Sequence, residues 1–190
     1  AHLGTGYGRQ PGRVTRPDGV TVPLDADTAL ATAGRLVQED LCLLQKPPGA
    51  REHVLTAAIL CFPATWTLAE KIGRPLAAIH GPVQSYDAAM AARVQRLFDA
   101  VRPGRPLWRQ KAVAYAGPRL HQPRPEAAPR RPPDGPARYI RSERQSLLRL
   151  PETGAVVFSI HTYVLPVARL TPGQAKALAA HPIDRAEDPA

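Results

Sequence analysis

Polar side chains interrupt residues 143–163, a stretch that otherwise alternates between polar and apolar residues as paired β-strands do. Glu143, Arg144 and Gln145 stand together near its start, and His161 and Tyr163 stand near its end. These side chains can bind charged ligands and transfer protons, but they are costly to bury without partners. The stretch is therefore either a solvated surface or a ligand site.

A long β-hairpin is the element that must position these side chains. Residues 138–150 and 155–165 both follow the strand period, and residues 151–154 (PETG) are typical of a turn. Neighbouring residues of a strand point to opposite faces, so Glu143 and Arg144 cannot line one pocket unless a bulge intervenes. Gln145 shares the face of Glu143, and His161 shares the face of Tyr163.

The other elements surround this hairpin. Strands are predicted at 41–45, 53–62 and 107–115, and the almost wholly apolar 53–62 is expected to be a central strand. Helices are predicted at 25–38, capped by Asp25 or Asp27, at 65–72, at 87–101 and at 172–180, with a short piece at 74–80. Residues 1–23 are expected to form an irregular arm, 24–181 a single domain with a proline-rich loop at 117–136, and 182–190 a polar tail.

Composition limits the class of protein. The 190 residues are 44% hydrophobic, which is enough for one compact domain with its own core. The net charge of +9 is scattered and comes with no nucleic-acid-binding motif, so nucleic acid is not the expected partner. Cys42 and Cys61 form no metal or redox motif and are expected in the core. With no secretory or membrane-spanning stretch recognised, a cytoplasmic location is the default expectation.

Three segments in order resemble the haem-dependent oxidative N-demethylase family: residues 36–44 (LVQEDLCLL), residues 60–83 with their LCFP, EKIG and IHGPV runs, and the hairpin. The resemblance implies an α+β, PAS-like fold in which an antiparallel sheet cups short helices, with haem between them. It also implies oxidation of a small secondary amine such as dimethylamine by O2. Electrons would come from NADPH through partner flavin (FMN) and iron–sulfur proteins. In this family pattern His161 takes a position where arginine is more common.

Among the six histidines, the resemblance implies that His80 is the axial ligand of the haem iron. His80 ends an apolar run and is followed by Gly81, which leaves room for a porphyrin. Spacing alone favours a helix-end histidine hydrogen-bonded to backbone. His161 is the alternative to His80. Two positions are open for it: one lines the pocket opposite His80, and the other is on the outer face of the sheet. Exposed, loop or terminal positions are expected for the remaining four, His2, His53, His121 and His181.

Haem and an amine substrate, which the resemblance implies, would need further polar groups. Glu143 would accept a hydrogen bond from the substrate ammonium, Arg144 would donate to bound oxygen, and Tyr163 would donate a proton, with a core tyrosine as the alternative. Lys71 and Arg74 would hold the propionates unless they are simply solvated. Trp66 and Trp108 would pack in the core or against the macrocycle.

Two other functions remain open on the sequence. A haem-based gas or small-molecule sensor would use the same fold without turnover, because function depends on the pocket and not on the fold. A haem-free relative that docks a partner through its basic surface is the other alternative.

Overall fold

A computed structural model describes residues 4–81, 86–129 and 135–186 of the chain. Its strands are β1 (Gly8–Gln10), β2 (Arg13–Thr15), β3 (Thr21–Pro23), β4 (Glu39–Gln45), β5 (Val54–Ile59), β6 (Leu107–Tyr115), β7 (Tyr139–Arg149) and β8 (Val156–Pro166). Its helices are α1 (Ala29–Leu36), α2 (Leu76–His80), α3 (Ala88–Ala100) and α4 (Pro172–Ala180), with a 3-10 turn at Val167–Arg169.

The hairpin predicted from the sequence forms the centre of a five-stranded antiparallel sheet. The strand order is β5-β4-β8-β7-β6, so the β7–β8 hairpin lies between β4 and β6. Its register runs without a shift from Arg149 opposite Val156 to Tyr139 opposite Pro166. Gly154 closes the turn with φ of 69°, a value that glycine adopts without strain. Because no bulge interrupts β7, the side chains of Glu143 and Arg144 point to opposite faces, as predicted.

Short helices cover one face of this sheet, which we call the inner face. Two strands, then α2 and α3, then three strands follow one another along the chain. The core lies between the inner face and these helices, and its buried members are Cys42, Leu44, Leu55, Leu76, Phe98 and Val156. The predicted fold class, α+β with an antiparallel sheet and short helices, is confirmed.

Local sequence explains where helices α3 and α4 begin. Asp87 caps α3 by accepting a hydrogen bond from the backbone N–H of Met90 at 2.7 Å. Thr171 and Gln174 form a reciprocal capping box at the start of α4, where Pro172 takes the first helical position. Both helices were predicted within one residue of their bounds.

The apolar strand β5 is an edge strand, and the prediction of a central strand was wrong. Its outer edge is covered by the segment that leads into α2: Leu55 exchanges backbone hydrogen bonds with Arg74 and Gly73 at 3.1 and 2.8 Å, and Leu76 donates to the carbonyl of His53 at 3.0 Å. A covered edge can be as apolar as a central strand, because neither face nor edge meets water freely.

Several smaller expectations also differ from the structure. Residues 8–23 form the three-stranded sheet β1-β2-β3 where an irregular arm was predicted. Helix α1 starts at Ala29, after Thr28, and Asp25 hydrogen-bonds the Thr28 hydroxyl at 2.8 Å instead of capping the helix. Residues 65–72 are turns and not a helix. In the described part of the proline-rich loop, 117–129 and 135–136, no helix forms, as expected.

Two burial predictions were also wrong. Cys42 is buried as expected, but Cys61 is exposed because it follows the end of β5, where the chain turns away. His53 was expected on the surface and is only 1% exposed. Its ring nitrogen Nδ1 and its backbone N–H bond to the side chain of Gln95 on α3, at 2.8 and 3.1 Å. A partner 42 residues away in sequence is not visible in the local pattern.

Candidate functional site

Glu143 is the carboxylate of a polar cluster on the inner face. Its Oε1 accepts a hydrogen bond from Nε of Arg141 at 3.1 Å, and its Oε2 accepts from Nε2 of Gln145 at 3.1 Å. Gln145 in turn accepts from Nε of Arg109 on β6 at 2.8 Å. These side chains are brought together because alternate residues of β7 share a face, and β6 lies beside it in register. The carboxylate is held in place from both sides.

Arg141, like Arg109, is a residue of this cluster that the sequence did not single out. It is only 3% exposed, although it is a charged side chain in a strand. Its guanidinium donates to the carbonyls of Leu120 and Phe62 at 2.8 and 2.6 Å, and to the hydroxyl of Thr162 at 3.4 Å. Arg141 therefore ties two loops to the inner face and at the same time positions Glu143.

Asp40 is a second buried charge that sequence reasoning missed. It lies on β4, 1% exposed, and accepts hydrogen bonds from the backbone N–H groups of Cys61 and Phe62 at 2.6 and 2.9 Å. Burial raises the pKa of this carboxyl above its ordinary value, while the two hydrogen bonds act in the opposite direction. Asp40 thus fixes the chain just after β5. The carbonyl of Phe62 in this segment accepts a hydrogen bond from Arg141.

His80 ends α2 with its ring oriented by the helix itself. Nδ1 lies 2.9 Å from the backbone carbonyl oxygen of Leu76, one turn earlier. A carbonyl can only accept, so Nδ1 carries the proton and Nε2 keeps its lone pair. The ring also stacks on Tyr86, with centroids 4.4 Å apart and planes 16° apart. The backbone hydrogen bond expected from spacing is present, and it prepares the other nitrogen for a ligand role.

The surroundings of His80 keep its imidazole neutral. Burial lowers the pKa of His80 below its ordinary value, and the positive charges of Lys71 and Arg109 act in the same direction. The hydrogen bond to Leu76 opposes this shift. Since Arg109 also bonds to Gln145, it connects the surroundings of His80 with the Glu143 cluster. A neutral imidazole is the form that binds a metal.

Lys71 and Arg74 lie near the end of α2 and share a carboxylate. Lys71 is 5% exposed, and its ammonium donates to the carbonyl of Ile79 at 2.7 Å and to the carboxylate of Glu126 in the proline-rich loop. Nη1 of Arg74 lies 3.8 Å from the same carboxylate. Trp66 packs against the hydrophobic core. The two cations thus already surround one anionic group of the chain itself.

Arg144, His161 and Tyr163 lie on the opposite side of the sheet, which we call the outer face. Arg144 pairs with His161 across β7 and β8, and Tyr163 is 49% exposed with its ring 4.4 Å from that of His161. Trp108, 64% exposed, lies under the Arg144 guanidinium on the same face. The structure therefore separates these predicted site residues from Glu143 and His80. Of the two positions considered for His161, it takes the outer one.

A comparison with known protein families shows to which family the chain belongs. Residues 12–188 match the family described as haem-dependent oxidative N-demethylase, alpha subunit-like. The chain belongs to this family. Among curated proteins, none matches the chain. The name of the N-demethylase family implies dependence on haem, so the next question is whether the residues described above suit that group.

The donor chemistry at His80 suits the haem of an N-demethylase. Haem iron needs one axial protein ligand, and a histidine whose other ring nitrogen is held by a carbonyl is a common one. His80 supplies a neutral ring, a fixed tautomer and an Nε2 that bonds to none of the residues in the described ranges. In the described ranges, at His80 as elsewhere, His, Cys, Asp and Glu side chains do not gather in threes around a possible metal position.

The helices of the described ranges are short. The longest has 13 residues, and none combines the length and the apolar character needed to cross a bilayer.

Proposed function

We propose that the protein carries out haem-dependent oxidative N-demethylation of a small secondary amine, such as dimethylamine. The family supports this class of reaction. The observation that carries the proposal is His80, with Nδ1 bonded to the carbonyl of Leu76 and with Nε2 unengaged by any residue that the structure describes. Haem, when bound, would supply the chemistry of O2 reduction.

The inner face gives this reaction its polar groups. His80 would hold the iron through Nε2. Glu143 would accept a hydrogen bond from the substrate nitrogen, because its carboxylate has about four acceptor positions and the described residues use two of them, through Arg141 and Gln145. Those two neighbours keep the carboxylate oriented, so that the amine is bound in one direction.

The propionates of haem require cations nearby. Arg74 is half-exposed and can turn toward such a group, whereas the ammonium of Lys71 is engaged by Ile79 and Glu126. A propionate at Lys71 would have to compete with Glu126. Arg109 is exposed, and its positive charge helps to lower the pKa of His80, which makes it a third candidate cation.

Arg144, Tyr163 and His161 have no part in this version of the proposal, because they lie on the outer face. A haem on the inner face is out of their reach through the sheet. The PAS-like classification, the cytoplasmic location and the electron donor, an NADPH-dependent reductase with FMN and iron–sulfur centres, stay predictions.

The test is amine-dependent O2 consumption by the haem-loaded protein with an artificial electron donor. We expect turnover with dimethylamine, and a fall in kcat/KM of about tenfold to a hundredfold in Glu143→Gln, which keeps the shape but loses the charge that binds the amine. Glu152→Gln, in the exposed β7–β8 turn, is the matched control.

Haem absorption must be unchanged in Glu143→Gln for this result to count. If the wild type binds haem but dimethylamine leaves O2 consumption at its background rate, the catalytic proposal fails, and a haem-based sensor becomes the better account.

A further inference from the structure

The outer face carries a cavity that the proposed function does not use. It has a volume of about 210 Å³ and is lined on its polar side by Glu39, Trp108, Arg144, Ser159 and His161. Glu39 and Arg144 are both register partners of His161, so they flank β8 on the same face. The cavity is separated from His80 and Glu143 by the thickness of the sheet.

One end of the cavity is cationic. The guanidinium of Arg144 lies 5.6 Å from the ring centroid of Trp108, which holds it by a cation–π contact. Among the described residues it has no carboxylate or carbonyl acceptor. A guanidinium positioned by an aromatic ring, with its donors free, is suited to bind a carboxylate with two hydrogen bonds.

The other end is anionic. Glu39 accepts a hydrogen bond from the hydroxyl of Ser159, which is 6% exposed. Its other oxygen is 3.7 Å from Nδ1 of His161, too far for a hydrogen bond. Among the described residues no other donor reaches Glu39, so at this cavity it keeps acceptor positions that would suit an ammonium group.

The spacing of these two ends limits the ligand. Glu39 and Arg144 lie two strands apart, which places their backbones about 10 Å apart. Long side chains that converge from that distance leave room for a short molecule with opposite charges at its two ends. A simple anion would meet Glu39, and a simple cation would meet Arg144, so each would be opposed by one end.

We propose that this outer-face cavity binds a small zwitterion, with its carboxylate on Arg144 and its ammonium on Glu39. Short ω-amino acids, such as β-alanine and 4-aminobutyrate, have this chemistry. The site is independent of haem and of amine oxidation on the inner face.

Calorimetric titration with β-alanine and 4-aminobutyrate tests the site, with acetate and methylammonium as single-charge probes. Fluorescence of Trp108 gives a second readout, because this exposed ring lies at the cavity. We expect both zwitterions to bind at least tenfold more tightly than either single-charge probe. Arg144→Ala and Glu39→Gln should each weaken zwitterion binding by about tenfold or more.

Arg96→Ala on the exposed side of α3 and Glu152→Gln in the β7–β8 turn are the matched controls, and both should bind as the wild type does. Thermal unfolding checks that each variant is folded. The proposal is overturned if the wild type binds no zwitterion at about 10 mM. It is equally overturned if Arg144→Ala and Glu39→Gln are folded and bind unchanged, or if acetate binds as well as β-alanine.

Discussion

At the scale of single residues, Arg141 determines how the inner face is held together. Its guanidinium bonds Glu143, Thr162 and two loop carbonyls while almost fully buried. Glu143 is two residues away, but the loop carbonyls that bury the guanidinium belong to residues 21 and 79 positions away. Nothing in the local sequence therefore distinguished Arg141 from a solvated arginine paired with a neighbouring glutamate.

Removing Arg141 should destabilise the fold strongly. Arg141→Met fills a similar volume but leaves the carboxylate of Glu143 and the carbonyls of Leu120 and Phe62 without their donor. We expect the free energy of unfolding, measured by urea denaturation, to fall by about 3–5 kcal/mol.

Arg96→Met on the exposed side of α3 serves as the control and should change stability by less than about 0.5 kcal/mol. The double variant Arg141→Met with Glu143→Gln should recover part of the loss, because it no longer contains a carboxylate that has lost its cation. Equal stability of Arg141→Met and wild type would show that this arginine is not a structural link.

At the scale of elements, the strand period predicted the most useful geometry. The alternation of the hairpin placed Glu143 and Arg144 on opposite faces, and the structure confirms it because β7 has no bulge. Sequence did not show which face is inner, since that depends on where α2 and α3 pack. The strands β1, β2 and β3 were missed because each has only three residues, which is too short for a period to be recognised.

Helix α1 packs closely against β5, and glycine makes this possible. A Cβ added at Gly34 would lie 2.8 Å from Cγ2 of Ile59. Gly34→Ala should therefore lower the free energy of unfolding by about 1–3 kcal/mol, although alanine favours helices.

Gly173→Ala in α4 is the matched control, because a Cβ there meets nothing within 4 Å. It should leave stability unchanged or raise it by up to about 1 kcal/mol. If Gly34→Ala stabilised the protein as much as Gly173→Ala, the close contact between α1 and β5 would be refuted. Denaturant unfolding of both variants under one set of conditions makes the comparison.

At the scale of the whole molecule, the sheet has two chemically different sides. The inner face carries the Glu143 cluster and is covered by the core and by the helices, of which α2 carries His80. The outer face carries the cavity between Glu39 and Arg144. The family and the fold class could be predicted from the order of short sequence matches. The residues that line one pocket could not be predicted in this way, because they depend on which face of the sheet the helices cover.

The account depends most on haem binding through His80, and an absorption titration tests this directly. Haem is added to the wild type, to His80→Ala and to His161→Ala, whose histidine lies on the outer face. The account predicts a Soret band for the wild type, a nearly unchanged band for His161→Ala, and a lost or strongly shifted band for His80→Ala. Absence of haem uptake by the wild type, or the same band in His80→Ala as in the wild type, would contradict it.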